Sequence, residues 1–456
     1  MAKKNINTVF LIFLFSHLII WTAVPSLTNK NLPLDTIEAL AWASNFEFGF
    51  DKHPPMSAAV VWLFYDFFGN QDWAYYFLSQ IFIIISFIFV WKLSFEFLKS
   101  KFLSLLSVLL LEGIVFYNYT SPEFNVYVCQ LPFRIISVYY FWKAINEKKY
   151  LNWILFGFSS GLGFLSHYLF FYLIISIIFF YLFFEIKKNK FELGAIFASL
   201  SFLIIIFPHL NWLVVNDFVT IDYASQRSKM NDSVSKNHII NPLVFIFKQL
   251  VMILPFLFLS SLILKLRKKN VKFKDRKLVF LLSINILPIV LIFFTSLITG
   301  SKIRTMWMSP FYLCFGILLL YFFKEKFEPK NLKRFLYSFL FIFLLSPLMY
   351  SYISISQKDK RTDYPGREIS DLVQKRWDRN FSNEIKVVVG DEWSAGNLAY
   401  HLQSRPKWFG KINDKFKKIN PEHGIIFTGN PEILKKVCPG EYGTIKPVGY
   451  CMIGVR

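Results

Sequence analysis

Two carboxylates one helical turn apart, Asp35 and Glu38, stand in the stretch Pro33-Leu34-Asp35-Thr36-Ile37-Glu38-Ala39-Leu40-Ala41-Trp42. A basic pair, Lys52-His53, follows in Gly49-Phe50-Asp51-Lys52-His53-Pro54-Pro55. Helix positions i and i+3 share a face, so one carboxylate can serve as a base while the other tunes it. The same spacing fits a helix start in which Asp35 caps and Glu38 completes a capping-box-like pair. The two readings do not exclude each other. The double proline fixes φ and removes backbone donors, holding Lys52 and His53 extended. A basic pair held this way suits a phosphate; the plainer account is a turn into the next helix with Lys52 snorkelling.

These residues must be positioned by a mostly apolar chain. Its 456 residues are 54% hydrophobic and 20% aromatic, with a mean hydropathy of +0.42. Such a composition belongs to an integral membrane protein, and the apolar runs approach the roughly 20 residues a spanning helix needs. No alternation suggests barrel strands, so the expected fold is an all-α polytopic bundle. The first run, about 9–24, is followed by Pro25 and only a weak cleavage site, which favours a retained helix over a signal peptide. The net charge of +21 is spread as short clusters between apolar runs. Topology and anionic lipid explain that pattern, and nucleic-acid binding is set aside.

Apolar runs read against Lys/Arg clusters predict about eleven spans, near 8–26, 74–98, 102–119, 126–145, 151–166, 168–186, 192–214, 243–264, 278–299, 306–323 and 335–354. The basic clusters are Lys3-Lys4, Lys92/Lys99/Lys101, Lys143/Lys148/Lys149, Lys187/Lys188/Lys190, 265–277 and 324–334. This assignment puts them all on one face, and the positive-inside rule makes that face cytoplasmic. The opposite face receives the 27–73 loop, the 117–123 connection with Glu123, the turn at Ser166-His167, the 215–242 loop, the 300–302 turn and the tail. The chemistry-bearing residues therefore collect outside, at the periplasmic surface of a bacterial inner membrane.

Ionisable groups in or beside lipid are costly, so Glu112, Arg134, His167, Lys302 and Arg304 need a role. Lys302, Arg304 and the interfacial Trp307 are suited to gripping a lipid phosphate, and equally to anchoring a helix end. For Arg134, beside Pro132 in an apolar run, Glu112 and Glu123 are the candidate partners. The chain divides at 354: a transmembrane part, 1–354, and a polar part, 355–456, read as a small α/β domain. Its expected strands lie at 386–389, 424–428 and 450–453, with helices at 394–403 and 431–437. Cys438 and Cys451 lie here, free to pair or stay apart.

These stretches, together with Gly161-Leu162-Gly163-Phe164-Leu165-Ser166-His167-Tyr168, Arg304-Thr305-Met306-Trp307-Met308-Ser309-Pro310-Phe311-Tyr312 and Gly390-Asp391-Glu392-Trp393, resemble glycosyltransferase family 39. That family comprises polytopic C-type transferases using polyprenyl-phosphate sugars. The pattern is nearest to the bacterial lipid A aminoarabinose and galacturonic acid transferases. The resemblance implies a bundle of about eleven to thirteen helices and a donor phosphate held near the outer surface. It makes Asp35 the catalytic carboxylate with Glu38 beside it, and transfer inverting. Lys52, His53, Glu123, His167, Lys302, Arg304 and Trp307 become the donor-phosphate and substrate contacts. Relatives often carry Lys where this chain has His167; a neutral or partly protonated imidazole makes a weaker, pH-dependent contact.

The expected activity is transfer of a sugar from a polyprenyl-phosphate donor to a lipid-linked acceptor such as lipid A. A protein hydroxyl acceptor, as in protein O-mannosyltransferases, is an alternative, and so is a polytopic transporter or lipid flippase. No internal repeat supports the last. No cofactor is required by this reading, although the carboxylates are also able to hold a divalent cation.

Overall fold

The computed structural model describes residues 3–186, 192–228, 234–265, 274–323, 327–410 and 420–456. The basic residues of 187–190, 266–273 and 324–326 lie outside the described residues. The protein is a multi-pass helical membrane bundle that ends in a small sheet. Among the described residues five helices are long and apolar enough to cross a membrane: Asn5–Thr28, Asp72–Leu98, Gly194–Val215, Arg276–Thr299 and Pro329–Ser356. Two bent pairs raise this to seven, Asn237–Met252 with Leu254–Ile263 at 49° and Thr305–Tyr312 with Phe315–Phe323 at 51°. The expected count of eleven is not reached by this measure. Its other four segments coincide with helices that are short, broken or charge-bearing: Lys101–Leu109, Val126–Glu147, Tyr150–Ser166 and Phe170–Phe180.

Local chemistry sets several of these boundaries. Asn125 accepts the N–H groups of Tyr127 and Val128, both at 3.0 Å, and so starts the helix that holds Arg134. His167 is extended and ends Tyr150–Ser166, so 151–186 is two helices. At Gly300 the chain turns with φ of 68°, a conformation that costs glycine little. The following segment then runs past Arg304 to Trp307.

Inside the bundle, the apolar core carries two buried ionic features. His17 Nδ1 and Glu112 Oε1 meet at 2.7 Å, and Asn118 Nδ2 donates to the Glu112 backbone at 2.8 Å. Arg134 therefore does not pair with Glu112, nor with Glu123, contrary to the expectation. Its guanidinium lies over the Phe311 ring at 4.0 Å and reaches Ile284 O at 3.5 Å. The aromatic face takes the place of a carboxylate.

The C-terminal sheet has five strands: β1 (Val387–Val389), β2 (Lys407–Phe409), β3 (Ile425–Gly429), β4 (Glu441–Ile445) and β5 (Val448–Ile453). Their order is β2-β1-β3-β5-β4; β1 is parallel to β2 and β3, and β5 is antiparallel to β3 and β4. The sequence reading lacked β2 and β4, whose residues carry little apolar alternation. Cys438 and Cys451 are bonded, with a Cα–Cα distance of 5.5 Å.

The sheet unit is docked on the Leu34–Ser44 helix. Arg405 donates to Leu40 O at 2.6 Å and stacks over Tyr65. Asn31 Nδ2 donates to Asn397 Oδ1 at 2.8 Å, and Tyr400 donates to Asp72 at 2.7 Å. Ser44 Oγ accepts the Trp408 N–H at 2.9 Å. A Cβ on Gly396 would stand 3.1 Å from Ala41 Cβ, so the two helices approach without a side chain between them.

Candidate active site

A cavity of about 920 Å³ opens between the Leu34–Ser44 helix, the 45–53 loop, the 118–125 connection, the Val219–Ser228 helix, the 301–307 segment and the 360–362 linker. Asp35, Glu38, Lys52, His53, Glu123, His167, Arg304 and Trp307 all line it. Eight of the nine sequence-selected residues therefore come together. Lys302 does not line it; its side chain is exposed one step further along the segment.

Asp35 lies in the first turn of its helix, yet it is not the cap. The position before the helix is Pro33, which has no side-chain oxygen to offer. The Asp35 N–H is instead taken by Glu123 Oε1 at 3.1 Å, and Thr36 Oγ1 donates to Phe124 O. The capping-box reading of Asp35 and Glu38 is thus corrected: the acid from the 118–125 connection does the capping. This leaves the Asp35 carboxylate free to face the cavity. Burial pushes it above the ordinary carboxylate range, opposed by the positive charges of Arg227, Lys52, Arg361 and Arg304. Glu123 is raised as well, by burial and then by the charge of Asp35. Two acids that close compete to stay ionised, and the deeper one holds a proton more readily.

Lys52 is engaged by two acids. Its Nζ lies 2.7 Å from Glu38 Oε1 and 3.0 Å from Glu392 Oε1. Burial, the largest single influence, disfavours its charge, but Glu38 and Glu392 together outweigh it and the ammonium is raised above its ordinary value. Glu38 is in turn raised by burial, against the pull of Lys52. So Lys52 carries its charge within an ion triad on the cavity wall.

The histidines are neutral donors. His53 is driven well below 6.5 by burial and by the neighbouring His167, Arg227 and Lys52. Burial lowers His167 to about 3. Of the two forms expected of His167, neutral or partly protonated, burial favours the neutral one near neutral pH. His167 Nδ1 accepts the Leu169 N–H at 3.1 Å, which leaves the ring proton on Nε2. Its ring lies 5.0 Å from Tyr127, 5.5 Å from His53 and 6.5 Å from Trp307.

The 45–53 loop is pinned from the other side. His209 Nδ1 donates to Phe48 O at 2.7 Å, and Nε2 accepts the O–H of Tyr168, a cavity residue, at 2.8 Å. A Cβ on Gly49 would stand 2.2 Å from the Trp212 ring, so this contact requires glycine.

Two arginines of the cavity wall escaped the sequence reading. Arg227, on Val219–Ser228, is the leading positive influence on Asp35 and donates to the Tyr223 hydroxyl. Arg361 lies in the linker before the sheet unit. Each sits in a polar run among other cations, and nothing in spacing or neighbours marks it out. Glu392 was visible within Gly390-Asp391-Glu392-Trp393, but its link to Lys52 is purely tertiary. Among the described residues no group of three or more His, Cys, Asp or Glu side chains is placed to hold a metal ion.

The whole-chain architecture is that of the C-type glycosyltransferases. Residues 52–212, about a third of the chain, match the family model of dolichyl-phosphate-mannose-protein mannosyltransferase. The structure is similar to that of ArnT from Cupriavidus metallidurans bound to undecaprenyl phosphate, with a TM-score of 0.66 at 10% identity, covering 98% of each chain. It is also similar to ArnT from the same organism in the apo state, with a TM-score of 0.62 at 10% identity, covering 97% of this chain and 98% of that one. No curated protein matches the chain in sequence.

Proposed function

We propose that this cavity transfers a sugar from a polyprenyl-phosphate donor to a lipid-linked acceptor, lipid A or a related glycolipid, at the periplasmic face of a bacterial inner membrane. The observation that carries the reading is an ionisable Asp35 facing a cavity whose wall holds Arg227, Arg304 and Arg361. The fold shared with an ArnT that binds undecaprenyl phosphate supports the donor class. Charge supports it too. The Lys52–Glu38–Glu392 triad and Asp35 each contribute one negative charge, against three guanidiniums, and Glu123 is biased toward its neutral form. The wall is thus left with about one positive charge, which matches one phosphodiester.

In the reaction, the acceptor hydroxyl gives its proton to the Asp35 carboxylate as its oxygen bonds to the anomeric carbon. The bond from that carbon to the phosphate oxygen breaks, and the lipid phosphate leaves with the electron pair. Guanidiniums stabilise that developing charge, while His53 and His167 offer neutral N–H groups. Burial of Asp35 strengthens it as a base. Tyr168, Leu169, Phe171, Tyr172 and Met306 form the apolar side of the cavity, against which a polyprenyl chain lies.

Mass spectrometry of glycolipids from cells carrying the wild type, the D35N variant or no protein tests this. A sugar increment on lipid A or a related glycolipid, present only with the wild type, is the expected result. Identical glycolipid profiles in all three would sink the lipid acceptor. The family segment over 52–212 favours a protein acceptor as the second reading, and an increment confined to glycoproteins would establish it.

A further inference from the structure

The linker from the last span to the sheet unit forms part of the cavity wall through Lys360, Arg361 and Thr362. It is held in one shape by an unusual number of bonds for a connecting segment. Thr362 O accepts the N–H groups of Lys30 at 2.9 Å and Asn31 at 3.0 Å, tying the linker to the residues just before the catalytic helix. Lys360 Nζ donates to Ser354 O at 3.0 Å and to Asp363 Oδ2 at 2.9 Å, and the Lys360 N–H donates to the same carboxylate at 3.1 Å. Lys360 is therefore spent on the linker itself.

Arg361 is treated differently. Among the described residues no carboxylate pairs with it, although Asp363 is two positions away. Its guanidinium carbon lies over the Trp393 ring, 5.9 Å from the ring centre, within reach of a cation–π contact, and that ring packs on Tyr364 at 5.3 Å. Trp393 adjoins Glu392, which holds Lys52. Lying over an aromatic face leaves the edge N–H groups of a guanidinium unused, in the fork that suits two phosphate oxygens. The Arg361 charge reaches both Asp35 and Glu123 across the cavity.

We propose that Arg361 is a substrate-contacting residue that binds phosphate oxygens in this cavity, with Trp393 as its positioning residue, so that the C-terminal linker and sheet unit complete the active site. The inference rests on the transferase reading above and assigns that site a residue from outside the bundle. The phosphate is that of the polyprenyl donor or one carried by the acceptor; both present the same oxygens to the fork.

Binding to the full chain in nanodiscs tests this and separates the two sources. In the first arm undecaprenyl phosphate is titrated into wild type, R361Q, R361K and W393L. In the second, phosphatidic acid serves as a phosphomonoester probe and is titrated after saturation with undecaprenyl phosphate. A loss of about tenfold in R361Q, partly restored in R361K and intermediate in W393L, is expected in one arm. Loss in the first arm assigns the donor phosphate, and loss in the second assigns an acceptor phosphate. Unchanged affinity for R361Q in both arms overturns the proposal. If R361Q does not fold, W393L is read by the same rule, and unchanged affinity in both arms overturns the proposal equally. A wild type that binds no undecaprenyl phosphate while R304Q and D35N behave identically would instead sink the donor reading of the whole cavity.

Discussion

Glu123 Oε1 accepts the backbone N–H of Asp35 at 3.1 Å, so the helix presenting the candidate base is started by a second acid from a different loop. Replacing Glu123 with Gln keeps an acceptor oxygen at this place, whereas Ala removes it. E123A is expected to lose about 1–2 kcal/mol of stability and E123Q much less. Both acids bind protons more tightly when folded, so their contribution is present below their ordinary values of 3.8 and 4.5 and is lost as pH rises above them. Melting of the solubilised protein from pH 5 to 9 should therefore fall more steeply for wild type than for E123Q. Parallel curves would show that Glu123 carries no raised proton affinity.

Among the described residues Asp35 makes no side-chain hydrogen bond, and its removal should spare the fold. D35N is expected to lower turnover by roughly two to four orders of magnitude, the range of a general base. Polyprenyl phosphate binding should hold or tighten, since a negative charge leaves the cavity. Full turnover in D35N would remove Asp35 from the chemistry.

The two cavity histidines should contribute no titration near neutral pH. His53 is well below its ordinary 6.5 and His167 lies at about 3. The neutral rings favour the folded state above 6.5, and that contribution fades as pH falls toward the lowered folded values. The imidazoles should thus add nothing to the change of undecaprenyl phosphate affinity from pH 6 to 8 beyond what Glu123, raised by burial, contributes, and H53Q and H167Q should run parallel to wild type. A tenfold fall across that window, absent in H53Q or H167Q, would mean that one ring is charged.

Lys52 joins Glu38 and Glu392 with side chains 20%, 12% and 21% exposed, enough burial for the pairs to count but too much solvent for a large effect. A double-mutant cycle between K52Q and E392Q should give a coupling of about 1 kcal/mol. Hydrogen exchange should rise in 392–402 for either variant. Zero coupling would make the contact incidental to docking.

The Cys438–Cys451 bond closes a short loop over a sequence separation of 13. Its removal in C438S/C451S should cost roughly 3 kcal/mol within the sheet unit. Exchange of the β4 and β5 amides reports this, and protection equal to wild type would contradict it.

Much of this architecture was legible before any coordinates. Span-length apolar runs gave the bundle, and the His-Pro-Pro turn with its acidic approach marked the wall of the cavity. What composition does not encode is partner choice. Lys52 reads as a lone cation, and only the fold brings Glu392, 340 positions later, against it. Asp35 and Glu38 read as a cap and its mate because only the fold brings Glu123 to the Asp35 N–H. Arg227 and Arg361 were invisible because a guanidinium in a polar run looks solvated until a cavity is seen beside it. Fewer spans than the expected eleven pass a test of length and apolarity among the described residues, because breaks at Leu110–Gly113 and near His167 shorten three helices, while Val126–Glu147 carries Arg134, Lys143 and Glu147.

The grip of the sheet unit on the Leu34–Ser44 helix joins Asn31 to Asn397, Leu40 to Arg405 and Ser44 to Trp408. A ribosome makes the first member of each pair long before the second. The catalytic helix must therefore wait, inserted but unbraced, until nearly the whole chain has been synthesised and its final strands have folded. On the transferase reading, synthesis that stops early is expected to leave a membrane protein with its acids in place and their helix unbraced.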